Sequence, residues 1–279
     1  DGEQVGVLGT TYQIVETVSS TGGVADETGG EIDMPALAAN LQPDVDALIA
    51  AGVDKIVLVT HLQDINFEQE LATLLTGVDV IVAGGSDTIL ADADDALRPG
   101  DAAEDSYPLV TAGADGAPVA IVSSDGEYAY VGRLTVEFDD DGEIIPASIL
   151  PEENGPVATD EAGTLAATGA ASVEEAIAGS EKATLVSGLT TAVSDQVTES
   201  DGTVFGETEV FLDGRRETVR TEESNFGNLT ADANIAAARS IDPDVTVSIK
   251  NGGGIRAAIG EIDGETGELL PTQDNPASG

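Results

Sequence analysis

The segment Asn251-Gly-Gly-Gly-Ile-Arg256 combines residue types that suit a ligand site. Consecutive glycines let the backbone approach a bound group and expose its N–H donors, and arginine offers a planar fork of donors for phosphate or hydroxyl oxygens. The segment Glu223-Ser-Asn-Phe-Gly-Asn228 precedes it and adds amide side chains. Because most glycine runs are plain turns, the pattern indicates a binding loop only through its context.

A second group of polar residues follows two apolar runs that predict buried strands. His61, the single histidine, comes directly after residues 55–60, and Gly84-Gly-Ser-Asp-Thr88 comes directly after residues 78–83. A helix predicted at residues 67–75 separates the runs, so they form a β-α-β unit with parallel strands. His61 and Asp87 then leave the sheet at the same edge.

An imidazole and a carboxylate at one sheet edge are suitable ligands for Mn, Fe or Zn. The alternative interpretation is structural: His61 is then a satisfied side chain, and Asp87 forms an Asx turn or caps a helix.

The charge balance is the strongest feature of the composition, with 53 acidic against 10 basic side chains and a net charge of -43 on 279 residues. Concentrated salt would screen this self-repulsion, so we interpret the charge as adaptation to a salt-rich medium; an acidic partner-binding surface is the alternative. Nucleic acid is excluded as a partner because no basic face can form.

The absence of cysteine excludes disulfides, thiolate zinc sites and cysteine nucleophiles. No apolar run reaches the roughly 18 residues of a membrane span.

Periodicity and turn residues predict the remaining elements. The expected helices and strands are a helix at 35–51 ended by Gly52, strands at 5–8, 119–123, 128–138 and 143–150 with a turn at 139–142, a helix at 172–179, a strand at 203–212, a helix at 226–239 capped by Ser224 or Asn225, and a strand at 245–250.

Four motifs in this order resemble the 5′-nucleotidase / 2′,3′-cyclic phosphodiesterase family of metallophosphoesterases. They are the runs at residues 52–62, 77–88, 223–228 and 251–256. The resemblance implies an α/β fold: the C-terminal part of a calcineurin-like metallophosphoesterase layered sandwich at residues 1–150, a connector at 151–182, and an incomplete α/β 5′-nucleotidase C-terminal substrate-binding domain, which grips the nucleoside, at 183–279.

The resemblance also implies site residues and cofactors. His61 and Asp87 are the implied metal ligands, for two divalent ions of Mn, Zn, Fe, Co or Ca. The implied substrate contacts are Asn251, Gly253, Gly254, Arg256, Arg220 and Asn225. A water activated by the metals would then hydrolyse the phosphate ester.

Two departures from the family pattern affect this expectation. Gly85 and Asp87 stand where the family usually has histidines. The family's opening motifs, an Asp-x-His pair, a bridging Asp and an Asn-His-Asp run, have no counterpart here, and its pair of base-clamping aromatics would lie near or beyond Gly279. We therefore expect the chain to be an internal piece of a longer protein.

The expected function is metal-dependent hydrolysis of phosphate esters, with nucleoside 5′-monophosphates or related nucleotides as small-molecule partners. The expected location is extracellular, periplasmic or on the cell surface, at high salt; the sequence leaves the oligomeric state open. The main alternative is a non-catalytic nucleotide-binding or acidic surface module with a decayed metal site. A purely structural acidic domain would leave the loop at 251–256 unexplained.

Overall fold

The computed structural model describes residues 2–18, 30–201, 208–262 and 269–271. The chain forms two compact units, Asp1–Gly179 and Ser180–Gly279. Residues 151–179, predicted as part of a connector, are therefore grouped with the first unit. The domain functions suggested by the resemblance stay predictions.

The first unit is built on a five-stranded sheet. Its strands are β1 (Gly6–Thr11), β2 (Ile56–His61), β3 (Val80–Val82), β4 (Leu109–Ala112) and β5 (Pro118–Val122). They are arranged in the order β1-β2-β3-β5-β4, and only β4 is antiparallel to its neighbour. The predicted parallel pairing of residues 55–60 with 78–83 is confirmed, so the carboxyl ends of four strands meet at one edge.

Helices α1 (Val15–Val18), α2 (Met34–Ala50) and α3 (Ile65–Leu74) join the first strands. The side chain of Asp33 caps α2 by accepting from Ala36 N at 2.9 Å. At the other end Gly52, with φ of 87°, donates to Ile49 O while Val53 N donates to Leu48 O. This is the Schellman arrangement that glycine favours, so the predicted helix and its glycine end are confirmed.

Helices α2 and α3 bury their apolar faces with one face of the sheet in the main core. The fully buried members include Val45, Ile56, Leu58, Leu62, Leu71, Leu75, Ile81 and Ile121. Aliphatic side chains dominate this core because the chain has few aromatics. It holds β2 and β3 rigidly and so fixes where their carboxyl ends lie.

The predicted strand at 128–138 is shorter in the structure. Strand β6 (Tyr130–Arg133) pairs antiparallel with β7 (Gly155–Ala158). Beyond β6 the backbone N–H of Thr135 donates to the side-chain oxygen of Asn154 and not to a neighbouring strand. The ladder between β6 and β7 therefore does not continue past this point. The turn at 139–142 is confirmed by a bond from Gly142 N to Asp139 O.

The segment at 143–150 was predicted as a strand, and this is wrong. A single bridge joins Phe138 to Ile144, and the chain then forms a 3-10 turn at Pro146–Ser148. Proline lacks the N–H that a ladder needs, which explains the break. Another 3-10 turn (Pro151–Glu153) precedes β7. Helices α4 (Glu161–Thr168) and α5 (Val173–Ala178) complete the unit, and α5 confirms the helix predicted at 172–179.

The second unit contains α6 (Glu181–Asp201), α7 (Arg216–Val219), α8 (Asn225–Arg239), a 3-10 turn (Gly252–Gly254) and the short pair β8 (Glu261–Ile262) and β9 (Leu269–Leu270). Helix α8 confirms the helix predicted at 226–239, and Ser224 is its cap through a 3.0 Å bond from Gly227 N. Among the described helices, none is both long and apolar enough to cross a membrane.

Two strands predicted in this unit have different outcomes. Half of the one at 203–212, residues 203–207, lies outside the described residues, and in the other half Leu212 makes an isolated bridge to Ile259. The strand predicted at 245–250 is wrong, since these residues form no ladder and Ile249 is 89% exposed. An apolar run makes a strand only where a neighbouring strand offers backbone partners.

Candidate functional site

The carboxyl ends of β2, β3 and β5 carry three loops that we call the carboxyl edge: residues 61–64, 83–88 and 123–128. Open α/β sheets place ligands at this edge of their parallel strands. His61 is the last residue of β2 and is exposed there, with its Nε2 2.9 Å from Gln63 Nε2. This contact ties the imidazole of His61 to the side chain of Gln63 in the same loop.

Backbone strain is concentrated at the carboxyl edge. Positive φ is uncommon for residues other than glycine and often marks functional loops. In the described part of the chain all five such residues lie in the three loops: Gln63 (71°), Asp87 (52°), Asp125 (65°), Glu127 (52°) and Tyr128 (59°). The loop at 123–128, to which the sequence analysis gave no role, holds three of them.

Two glycines seat the loop at 83–88 directly on the end of β2. A methyl group on Gly84 would lie 2.8 Å from Thr60 O, and one on Gly85 would lie 2.8 Å from His61 Nε2. Gly85 also has φ of 86°, so a side chain there would be strained as well as crowded. The imidazole of His61 therefore fills the space that a histidine at residue 85 would need.

Asp87 emerges at the predicted edge, but its carboxylate is directed toward the loop after β5. A methyl group on Gly126 would lie 2.5 Å from Asp87 Oδ1. The structure thus places His61 and Asp87 on neighbouring loops of one edge, as predicted, and turns Asp87 toward residues 123–128. The direction of this side chain depends on the left-handed backbone at Asp87, which its residue type does not reveal.

A buried acid lies beneath the carboxyl edge. Glu68 of α3 is fully buried, and its Oε1 lies 2.7 Å from Thr60 Oγ1, which in turn lies 3.2 Å from Val82 O. Burial raises the pKa of Glu68. The residue type of Glu68 did not mark it in the sequence, although its helical spacing with Leu71 and Leu75 places it on the buried face of α3.

The described residues do not fit a centre of two divalent cations. Zinc and related metals take four or more ligands. No group of three or more His, Cys, Asp or Glu side chains that could hold a metal ion occurs among the described residues. Ser86 adds one buried hydroxyl without a hydrogen-bond partner in that part of the chain. His61, Asp87 and Ser86 together remain too few, so no chemical step is assigned to a metal.

The glycine loop, residues 251–256, forms a compact turn in the second unit. Asn251 Oδ1 accepts from Gly253 N at 3.1 Å and thereby shapes the turn. A methyl group on Gly252 would lie 2.0 Å from Val219 O and 3.7 Å from the Cα of Arg220, so only glycine fits here. Arg256 and Gly254 are exposed. The structure therefore brings the backbone of Arg220 next to the glycine loop, as the substrate-site prediction requires.

Asn225 has a bracing contact in the structure. Its Nδ2 donates to Phe211 O at 2.8 Å, and its Oδ1 accepts from Asp213 N at 2.8 Å. These bonds fasten residues 211–213 to the start of α8. The predicted substrate contact of Asn225 stays a prediction, and any such contact has to share an amide that already bonds the backbone.

A charged pair next to this brace was not found from the sequence. Asp213 accepts from Arg215 through both carboxylate oxygens, at 2.9 Å and 2.6 Å. The hydrogen bond to the Arg215 guanidinium lowers the pKa of Asp213 to about 2. Six of the ten basic residues of the chain lie between residues 215 and 256. The stretch of sequence that contains the glycine loop is therefore richer in basic residues than the rest of this acidic chain.

Comparison with known proteins identifies relatives that align with almost the whole of this chain. The chain is 30% identical to a 5′-nucleotidase of Mus musculus over 272 residues, which is 93% of this chain and 40% of that protein. It is 29% identical over 281 residues to the trifunctional nucleotide phosphoesterase protein YfkN of Bacillus subtilis (strain 168), covering 97% of this chain and 15% of that protein. No protein-family model matches.

A solved structure gives the same assignment. The crystal structure of a 5′-nucleotidase precursor from Thermus thermophilus aligns with 97% of this chain at a TM-score of 0.52 and 26% identity, and the match covers 45% of that protein. The chain thus spans less than half the length of these relatives. Its sequence and its fold together show that the chain belongs to the 5′-nucleotidase family of metallophosphoesterases.

Proposed function

We propose that the protein hydrolyses phosphate esters, with nucleoside 5′-monophosphates or related nucleotides as substrates. The observation that supports this most is the relationship to 5′-nucleotidases along 93% of the chain, a span that takes in both units. The chain covers only 40% of that relative, so the activity of the complete protein is part of the proposal. The non-catalytic alternative is not favoured, because the relatives are named as nucleotidases and phosphoesterases.

In this proposal the glycine loop binds the substrate. Arg256 is exposed and provides a charge-assisted fork for phosphate or hydroxyl oxygens. The backbone of Arg220 lies next to the loop, so its guanidinium is a second proposed donor, and Asn251 holds the turn by accepting from the backbone N–H groups of Gly253 and Gly254. The two guanidinium groups suit an anionic ligand that is rich in hydroxyls.

His61 and Asp87 remain proposed metal ligands of the first unit. Their place on neighbouring loops at the carboxyl edge supports the proposal. A complete metal site would need donors in addition to the described ones, so the number and identity of the metals belong to the proposal as well.

AMP is the substrate that tests this function. We expect Arg256→Ala to weaken the binding of AMP by roughly 1–3 kcal/mol, as for loss of a charge-assisted hydrogen bond. The KM for AMP should rise accordingly. The assay uses the 279-residue chain in molar KCl with added Mn²⁺, and any turnover of AMP should be lost in His61→Ala, which is measured beside it. Arg98→Ala, an exposed arginine of the first unit, is the matched control.

Binding provides the second measurement. Titration calorimetry with AMP tests the glycine loop even if the chain turns over no substrate. An AMP affinity that is equal in Arg256→Ala, Arg98→Ala and the unchanged chain would contradict the assignment of the loop.

We also propose that the protein works outside the cytoplasm, in the periplasm or at the cell surface, in concentrated salt. The net charge of -43 supports the salt-rich setting.

A further inference from the structure

A cavity of about 280 Å³ lies at the carboxyl edge, at the end of β5. Val80 and Val82 of β3, Val122 of β5 and Leu134 form its apolar wall. Small-molecule sites are concave, mostly apolar and carry a few placed polar groups. The proposed hydrolysis gives this cavity no role, and its size suits a compact organic molecule.

The polar end of the cavity contains three side chains without hydrogen-bond partners among the described residues: Tyr107, Ser124 and Asp125. Tyr107 is only 3% exposed. A methyl group on Gly132 would lie 3.1 Å from the Tyr107 hydroxyl oxygen and 3.4 Å from Ser124 Oγ, so the two hydroxyls converge on one point. Neither hydroxyl bonds another described residue, so both are available to a ligand in the cavity.

The charge around this end is negative. Asp125 lines the cavity and no lysine or arginine does. Burial, with a smaller contribution from Asp95, raises the pKa of Tyr107 to about 12, so its hydroxyl stays neutral at physiological pH. A phosphate or carboxylate ligand would face an unpaired carboxylate, whereas a cationic head would pair with it.

The backbone supports a built site. Asp125, Glu127 and Tyr128 all have positive φ, and Asp125 N is held by Thr88 O at 3.1 Å. Such strain persists only where the surrounding structure enforces it, and it clusters at ligand sites. Asp125 of this loop lines the cavity.

We propose that this cavity binds a small organic cation with an apolar body. Its ammonium group donates to the Asp125 carboxylate and to the hydroxyl oxygens of Ser124 and Tyr107. Its hydrocarbon part lies against Val82, Val122 and Leu134. This binding goes beyond the proposed hydrolysis and involves none of the residues of the glycine loop.

Three probes of one shape test the proposal: cyclohexylammonium, cyclohexanol and cyclohexanecarboxylate, titrated calorimetrically into the 279-residue chain at constant KCl. We expect saturable binding of cyclohexylammonium and binding of cyclohexanol that is weaker by about tenfold or more, as for loss of a hydrogen bond between charged groups. Cyclohexanecarboxylate should not bind. No phosphate ester is present, so the outcome is separate from that of the AMP experiments.

Two isosteric pairs of variants locate the site. Tyr107→Phe and Asp125→Asn should each weaken cyclohexylammonium binding, and Asp125→Asn should also remove the preference over cyclohexanol. Tyr128→Phe and Asp140→Asn change the same residue types at exposed positions and should have no effect. Absence of saturable binding, equal binding of the anion, or equal affinity in all four variants would overturn the proposal.

Discussion

Lys250 is a cation that directly precedes the glycine loop and lies outside the motif at 251–256. A methyl group on Gly254 would lie 3.7 Å from Lys250 Nζ, so the ammonium is held close to the exposed backbone of the loop. The chain has only three lysines, and its charge is strongly negative. Under the proposed function, an ammonium at this position would reduce the repulsion between the acidic chain and an anionic substrate.

We therefore expect Lys250→Gln to weaken AMP binding more than it weakens adenosine binding, by roughly 0.5–1 kcal/mol for an exposed charge. Calorimetric titration of both ligands at several KCl concentrations measures this difference. Lys182→Gln on α6 is the matched control, because it removes the same charge from an exposed position elsewhere. Equal losses for AMP and adenosine would show that Lys250 does not contact the phosphate.

At the scale of elements, Asp79 joins β2 to β3. Its Oδ2 accepts from Ile56 N at 2.7 Å at the start of both strands, and the side chain is buried. Burial raises its pKa to about 6 from an ordinary value of 3.8. The folded state then binds this proton more tightly than the unfolded state, so the free energy of unfolding falls as the pH rises through this interval.

Asp79→Asn keeps an acceptor for Ile56 N and removes the buried charge. We expect it to stabilise the chain above pH 6 by on the order of 1 kcal/mol, with the gain disappearing toward pH 4. Urea unfolding at several pH values in constant molar KCl gives the difference, and Asp140→Asn controls for the change in net charge. A gain that is the same at every pH would mean that the buried carboxylate does not titrate in this range.

The helices and strands that the sequence predicted correctly are specified by residues that lie close together in the chain. Helix α2 has its cap, its apolar spacing and its terminating glycine within about twenty residues, and α8 has Ser224 at its start. The strand predicted at 245–250 had an equally clear apolar run. It failed because a strand also depends on a partner that the run does not specify.

In the candidate site, too, some features follow from local sequence patterns and others depend on contacts between distant segments. The positions of His61 and Asp87 at one edge follow from parallel pairing, which the β-α-β pattern indicates. The direction of Asp87 toward Gly126, the brace made by Asn225 and the cavity at Tyr107 depend on contacts between segments far apart in the chain. No local spacing encodes those contacts.

At the scale of the whole molecule, the net charge of -43 sets the response to salt. The screening length is about 10 Å at 0.1 M and about 3 Å at 1 M salt, so repulsion between neighbouring carboxylates is strong in dilute solution. Only five ion pairs occur among the described residues, too few to offset it.

We expect the Tm of the chain to rise steadily from 0.1 M to molar KCl, in line with this screening. Thermal unfolding followed by circular dichroism measures the shift. NaCl at equal ionic strength is the control, because screening depends on ionic strength and not on the identity of the monovalent cation. A Tm that is flat in KCl, or that differs strongly between KCl and NaCl at equal ionic strength, would contradict an origin in screening.

The sequence by itself determined the family resemblance, the order of the motifs, the main helices and the parallel pairing of β2 with β3. Those features depend on residue type, capping and short-range periodicity, which a chain carries in each segment. Only the tertiary structure decided that strain collects at the carboxyl edge, that Glu68 is buried beneath it, and that Tyr107, Ser124 and Asp125 share a cavity. These outcomes arise from packing between distant segments, and packing fixes the directions in which side chains can point.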